Sequence, residues 1–481
     1  MGEVVTQVGE EDGRALPRVV VVYDAASFNP MVLAEAAGGV CRLIWVVDAS
    51  DPVMAPLVRL LRRIGDVVES AGLDARSIAT ALEPHAPGGI LTFSEAQMPL
   101  AAALAGQLSL TYHSVPTADR LSDKYLQRLA LGQAGVPGPA VWEAPSPSLG
   151  EEERAREMEA LAGRVTFPVV VKPRRGASSV ATARADDSRQ LSQLLARFGD
   201  REGGLLVEEY LADRAMSGPF ADDIAVELLV QGGRVWHLAT TGKFRHAPPF
   251  RGRGCFLPSH IDSSTEAEVF EAAGAAVLAL GVTDGVVNVD MKLTPDGPRI
   301  VEVNGRLGGN VQVIMELAGG PPIMPLVFRL ALDHDMNAEP ALARILESNW
   351  PRVGYFAWIQ TPMSATRLVG VEGLDDVAAL PHVSSVVRNQ RQGDPLDWAT
   401  GGRTNVCEVF GSVENLVDLA AARDQIDDTV RLEFDEAPQE ACTSKEPSAA
   451  AGGRPAPSRT TSLSLFGRVI ARPRWGSNRG S

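Results

Sequence analysis

The chain has 481 residues, 45% hydrophobic and 22% charged, and its 45 Lys and Arg against 60 Asp and Glu leave a formal net charge of −15. That length allows roughly two to four domains with full cores. The composition is that of a soluble globular protein, and the acidic balance excludes nucleic acid as the main partner, because phosphate backbones need a basic surface. Cys41, Cys255, Cys407 and Cys442 are scattered, with neither CxxC nor zinc spacing. No apolar run reaches bilayer length and the first residues, MGEVVTQVGEEDG, are acidic rather than signal-like. A reduced, cytoplasmic protein without a membrane span is expected.

Residues 1–16 are polar and expected to fray. Residues 18–23, 42–47 and 89–93 are short, continuous apolar runs of the buried parallel-strand type. Between them, 53–71 and 95–108 have helical spacing, so strand and helix alternate in an open α/β domain over 17–116. No tight-turn glycines follow the first strand, so no dinucleotide fingerprint is read there. Residues 117–137 read as one helix stopped by Ala134-Gly135-Val136-Pro137. A Pro/Ser stretch and a charged helix occupy 145–163, and short strands alternate with helices from 165 to about 335. A further α/β-like region follows over 350–435, with strands at 352–360, 383–388 and 405–411 and helices at 374–380 and 413–425. Past 436 the composition turns to Pro, Ser, Ala, Gly and Arg, and residues 440–481 carry seven Lys or Arg against two Glu. This predicts a disordered basic tail over 437–481. Within it, 463–475 (LSLFGRVIARPRW) is apolar and basic, either solvated or set to touch a partner or membrane surface.

The segment 284–310, DGVVNVDMKLTPDGPRIVEVNGRLGGN, carries the most chemistry. Residues 286–293 and 299–303 alternate apolar and polar positions around Thr294-Pro295-Asp296-Gly297, which predicts a β-hairpin. Glu302 and Asn304 share a strand face, and a hairpin can set Asp290 opposite them. Two carboxylates and an amide oxygen are hard ligands of the kind that hold Mg²⁺ together with phosphates. Arg306 and a Gly-rich loop follow at once. The alternative is a set of solvated polar positions on an exposed sheet. Upstream, Ser122-Asp123-Lys124 opens a helix. Lys172 ends the strand VVVKP and runs into Arg174-Arg175-Gly176-Ala177-Ser178-Ser179, and LLVEEYL covers 205–211. A lysine at a strand end before a small, Gly/Ser loop is a phosphate-binding device, with a point charge beside approachable backbone N–H groups.

In this order, DK…AGVPGP, VVKP with its loop, VEEYL, and DMK…VEVNGRLGG resemble the ATP-grasp superfamily of carboxylate–amine ligases, over about 115–335. The region before looks like that family's N-terminal (pre-ATP-grasp) domain, and 350–435 is similar to the C-terminal lobe of its L-amino-acid (dipeptide) ligase branch. The resemblance implies an α/β ATP-grasp fold with a central ATP-binding subdomain at 117–211 and a C-terminal lobe at 212–436. It implies ATP and Mg²⁺ (or Mn²⁺), small-molecule acid and amine substrates, and the dimers common in the family. Lys124 and Lys172 look like its nucleotide-phosphate lysines, with Ser178 and Ser179 in the mobile loop. Glu208, Glu209, Tyr210 and Leu211 resemble the adenine hinge, with Asp223 or Glu227 as the ribose contact. Asp290, Glu302 and Asn304 resemble the metal ligands. Lys243 and Arg306 resemble the groups that stabilise phosphoryl transfer and the acyl phosphate.

The implied reaction joins an amino-acid or peptide carboxylate to an amine through an acyl phosphate, releasing ADP and phosphate. Other readings are a carboxylase-like or purine-pathway ATP-grasp enzyme, and a catalytically silent nucleotide-binding protein. The chain departs from the family pattern in several places. Asp290 stands where Glu is usual, and 212–222 lengthens the link after the hinge. In the loop 245–260, Gly252 and Cys255 take the places of a Glu and a His that meet substrate in dipeptide-forming members. Arg245, Arg251 and Arg253 make that loop basic, which fits either an anionic substrate or simple solvation. Glu95 resembles a family residue facing the amine, or is a solvated helix residue. Gly309 joins the substrate set through the Gly-rich loop. His246 and His260 flank the basic loop, as substrate contacts or ordinary histidines.

Overall fold

The computed structural model describes residues 15–201, 203–214 and 218–437, with the backbone of one further two-residue strand, Arg468–Val469. The expected frayed start and basic tail fall outside the described residues apart from residues 15–16, Ala437 and that strand. Strands β1 (Arg18–Val22), β2 (Arg42–Val47), β3 (Asp66–Glu69) and β4 (Gly89–Leu91) form an all-parallel sheet in the order β3-β2-β1-β4. Val19 and Val21 are buried on one face, Val20 and Val22 on the other, which is why the run reads as continuously apolar. The stretch 53–71, expected to be all helix, is a helix at Ala55–Ile64 followed by β3. Gly65 makes the break, because any Cβ there would overlap the Leu43 carbonyl oxygen and the Trp45 indole.

A second sheet joins β5 (Val141–Glu143), β6 (Val169–Pro173), β7 (Ala183–Ala185) and β8 (Leu205–Glu209) in the antiparallel order β5-β8-β6-β7. The helix expected over 117–137 is two helices, Val115–Ser122 and Lys124–Gln133. Asp123 separates them. Its backbone is extended and its carboxylate caps the second helix through Tyr125 N and Leu126 N while accepting from Arg174 Nε at 2.7 Å.

The large sheet contains β9 (Phe220–Gln231), β10 (Arg234–Phe244), β11 (Gly254–Leu257), β12 (Gly285–Thr294), β13 (Gly297–Asn304) and β14 (Val353–Ile359). Following β15 (Ala365–Glu372), it continues with β16 (Val383–Arg388) and β17 (Cys407–Val413); β15 pairs instead with β18 (Arg431–Glu436). The order is β13-β12-β9-β10-β11-β14-β17-β16, with Arg468–Val469 at the edge. Neither β15 nor β18 was anticipated.

On β9, β12 and β13, Ile224, Val226, Val287, Val289, Met291 and Val303 pack under the helix Ser263–Ala279. Alternate positions (Asp223, Glu227, Asn288, Asp290, Lys292, Glu302 and Asn304) therefore share the opposite face. Period-two alternation thus builds an apolar floor on one side and a polar platform on the other. Among the described residues no helix is long and apolar enough to cross a membrane, and Cys41, Cys255 and Cys407 are free thiols.

Candidate active site

The polar platform opens into a cavity of about 660 Å³ between the second sheet and the large sheet. The expected hairpin is present and its register sets Asp290 directly opposite Glu302, with Asn304 opposite Asn288. Lys124 Nζ lies 2.6 Å from Glu302 Oε1 and donates to the Gly176 carbonyl oxygen. Lys243, on β10, pairs with Asp290. Burial works against ionisation of Glu302, but Lys124 and Lys172 outweigh it and hold the carboxyl below its ordinary value. Burial likewise opposes the Lys243 charge, and the Asp290 carboxylate overcomes it and pushes the ammonium's pKa up.

Glu208, Glu209, Tyr210 and Leu211, the expected hinge segment, all line the cavity. The Arg184 guanidinium lies 4.5 Å over the Tyr210 ring. The Glu208 oxygens are committed to two cations, Lys172 Nζ at 2.6 Å and Arg128 Nε at 3.0 Å. Glu209 ties the strand to its surroundings, accepting from Ala140 N at 3.1 Å and Arg299 Nη2 at 3.3 Å. The loop with Ser178 and Ser179, both at positive φ, is clasped by 398–404. Gly402 N donates to the Ser178 carbonyl at 2.8 Å and Ala181 N to the Ala399 carbonyl at 2.7 Å.

Asp223 accepts from Lys292 at 2.9 Å. Glu227 accepts from Asn288 Nδ2 at 2.6 Å and Gly308 N at 3.1 Å, and burial pushes its carboxyl up to about 7. Arg306 lines the cavity and pairs there with Glu95 from the N-terminal α/β unit. Burial raises the Glu95 carboxyl's pKa, against the pull of Arg306.

Cys255 and Gly309 line the cavity, but Arg251 and Arg253, expected beside substrate, do not. The Arg251 side chain is buried and donates to the Pro248 and Thr361 carbonyl oxygens, while Arg253 pairs with Asp427 on the helix Leu416–Thr429. Of the flanking histidines, His246 reaches the cavity and His260 packs among Phe220 and Phe256. Sequence reasoning passed over Asn288 and Lys292, although each sits two positions from Asp290 on the same strand face. It also passed over Arg128, Phe356 and Trp358. Nothing local marks these, because their partners are distant in sequence.

Mg²⁺ suits this donor set. Asp290 and Glu302 face each other across a register pair, and each already holds an ammonium, so the platform is built to receive positive charge. Asn304 spends its amide N–H on Asn288 Oδ1 at 3.2 Å, which orients its carbonyl oxygen. Among the described residues no group of three His, Cys, Asp or Glu is disposed to hold a metal alone.

Residues 121–310 match the model of the ATP-grasp domain. Carnosine synthase 1 of Homo sapiens is 31% identical over 235 residues, which are 46% of this chain but 28% of that protein, so the chain spans well under half of this relative. The fold is similar to that of an L-amino acid ligase from Bacillus licheniformis, with a TM-score of 0.67, 18% identity, and coverage of 88% of this chain and 100% of the other. It is also similar to that of an N5-carboxyaminoimidazole synthase from Aspergillus clavatus, solved with ADP and 5-aminoimidazole ribonucleotide, with a TM-score of 0.64, 15% identity and coverage of 86% and 98%. The matched domain covers under half of the chain, and the likeness to these solved structures extends the shared fold over most of the rest. The chain thus carries an ATP-grasp domain over residues 121–310.

Proposed function

We propose that the protein is an ATP-dependent carboxylate–amine ligase that joins an amino-acid or peptide carboxylate to an amine. The observation that carries this reading is the convergence of Lys243, Asp290, Glu302, Asn304 and Arg306 on one cavity, whose far wall supplies Lys124, Lys172 and a Gly/Ser loop. Tyr210 and Leu211 would take the base, and Lys124, Lys172 and the 176–179 backbone the phosphates. Asp290, Glu302 and Asn304 would hold Mg²⁺, which when bound would neutralise phosphate charge. The substrate carboxylate attacks the γ-phosphorus and ADP leaves. The amine then attacks the acyl carbon, and phosphate leaves as the amine sheds a proton. Lys243 and Arg306 supply fixed positive charge where charge develops on the transferring group. Clasped by 398–404, the Ser178–Ser179 loop keeps water from the intermediate.

The human relative's name is that of an enzyme making a small peptide, and the L-amino acid ligase fold covers nearly the whole described chain; both support the peptide-ligase branch. The fold shared with the N5-carboxyaminoimidazole synthase supports a second reading, a carboxylating or purine-pathway ligase. ADP and phosphate release would be measured with Mg²⁺-ATP over amino acids and dipeptides, singly and in pairs, with and without bicarbonate, and with Glu302→Ala as control. Turnover requiring one acid and one amine, and lost in the variant, is expected. Turnover requiring bicarbonate instead would replace the first reading by the second.

A further inference from the structure

The platform continues beyond Lys243 into a wall of different chemistry. Lys243 is the register partner of Cys255 on β11, and Cys255 that of Phe356 on β14, so the three share one sheet face. Strand spacing puts Phe356 roughly 10 Å from Lys243, about the reach of an amino acid lying between them. Two residues along β14, Trp358 presents the same face, its ring centroid 5.1 Å from that of Phe356. The helix Val311–Leu317 brings Val311 and Ile314 down onto this wall. Its close approach depends on Gly354, where a Cβ would overlap the Ile314 carbonyl oxygen. Across from them, Gly252 leaves the indole uncovered, since a Cβ at 252 would stand 3.0 Å from Trp358 Cζ3.

The charged groups around this wall already have partners, Lys243 with Asp290 among them. The two arginines that flank Gly252 in sequence are turned away, Arg251 to backbone carbonyls and Arg253 to Asp427. Arg245 lines the cavity and donates to the Gly218 carbonyl at 2.8 Å. Burial pushes the Cys255 thiol up to about 12, so it stays neutral. Glu408, the register partner of Trp358 on β17, lies outside the cavity lining, its carboxyl raised by burial against hydrogen bonding with Trp358, Asn389 and Asn310.

We propose that Cys255, Phe356, Trp358, Val311 and Ile314 form a subsite for an uncharged, apolar side chain of leucine to phenylalanine size on one of the two substrates, with Gly252 setting its depth. This names a substrate class for the site assigned above and rests on that ligase reading. An apolar wall discriminates against charge, because an ionised group buried against it loses its hydration.

The test is calorimetric binding of single amino acids to the full chain with Mg²⁺ and a non-hydrolysable ATP analogue, in wild type, Gly252→Ala and Gly252→Leu. Binding of the analogue itself reports that each variant is folded. Leucine, methionine and phenylalanine should bind at least ~100-fold more tightly than aspartate, glutamate, lysine and arginine. Phenylalanine affinity should step down from wild type to Gly252→Ala to Gly252→Leu, by about tenfold or more at the last. Equal affinity for charged amino acids, phenylalanine binding indifferent to residue 252, or no amino-acid binding at all would overturn the subsite. Turnover separates it from the ligase reading. Apolar binding without pair-dependent ADP release leaves the subsite and removes the ligase. Pair-dependent release confined to charged substrates does the reverse.

Discussion

Lys124 Nζ sits 2.6 Å from Glu302 Oε1, and Lys243 stands in the same relation to Asp290 across the hairpin. Each carboxylate of the candidate metal pair is thus already neutralised by an ammonium. A divalent cation arriving alone must displace a half-buried lysine and leave it without a partner, which is costly. Nucleotide phosphates arriving with the cation give both lysines new anions. Metal binding should therefore depend on nucleotide. Titration with Mn²⁺, read by electron paramagnetic resonance, should show at least ~10-fold weaker binding without nucleotide than with it. Lys124→Met should tighten nucleotide-free binding while abolishing ADP release. Tight Mn²⁺ binding by the nucleotide-free wild type would refute this coupling.

Glu227 gives the fold a pH dependence. Burial raises its carboxyl to about 7, beyond what Gly308 N and Asn288 recover by hydrogen bonding. A carboxyl whose folded pKa lies above its unfolded value stabilises fully below the unfolded value, near 4.3, and loses that contribution as pH rises through about 7. Glu227→Gln removes the titration. Its Tm relative to wild type should climb between pH 5 and pH 8, corresponding to at most roughly 3 kcal/mol. A constant difference across that range would mean that Glu227 is not held in the raised state.

The buried cluster of Arg128, Lys172 and Glu208 is balanced only as a whole. Burial opposes the Glu208 charge, and Arg128 and Lys172 together hold its carboxyl below the ordinary value. Arg128 also donates to the Val301 carbonyl, tying the helix Lys124–Gln133 to β13. Arg128→Met should cost about 3–5 kcal/mol in urea unfolding, because a buried carboxylate loses a partner. Adding Glu208→Gln should return part of that loss. Additive losses would show that the two side chains are not coupled.

Much of the site was legible because β-hairpins convert sequence spacing into geometry. Alternation around Thr294–Gly297 is enough to set Asp290, Glu302 and Asn304 on one face, and the register does so. The basic loop was not legible in the same way. Three arginines within nine residues raise the expectation of an anion, yet Arg251 donates to a carbonyl 110 residues away and Arg253 to a carboxylate 174 away. Charge composition carries no information about such partners. The apolar wall was hidden for a related reason, since Phe356 and Trp358 read as ordinary core of a distant strand until β11 and β14 are paired. Asp123 shows a local signal overridden. Helical periodicity runs through it, but a buried Asp that caps one helix and binds Arg174 divides the segment in two.

Gly401 meets the Ser178–Ser179 loop where no other residue fits. Its φ is +66°, in the region that favours glycine, and a Cβ there would overlap the Ser178 carbonyl oxygen and the Ser179 backbone. Gly401→Ala must therefore either lift 398–404 from the loop or shift the loop itself. Both outcomes break the contacts from Gly402 N to Ser178 and from Ala181 N to Ala399 that hold the loop over the cavity. At a cost of about 1–2 kcal/mol for an incompatible alanine, KM for ATP should rise roughly tenfold. Cleavage within 174–181 under limited proteolysis should quicken. Gly402→Ala is the matched control, because a Cβ at 402 would lie 3.6 Å from the same Ser178 oxygen, an ordinary contact. It should leave both readouts within about twofold of wild type. If the two alanines behave alike, the clasp does not hold the loop and some other contact must.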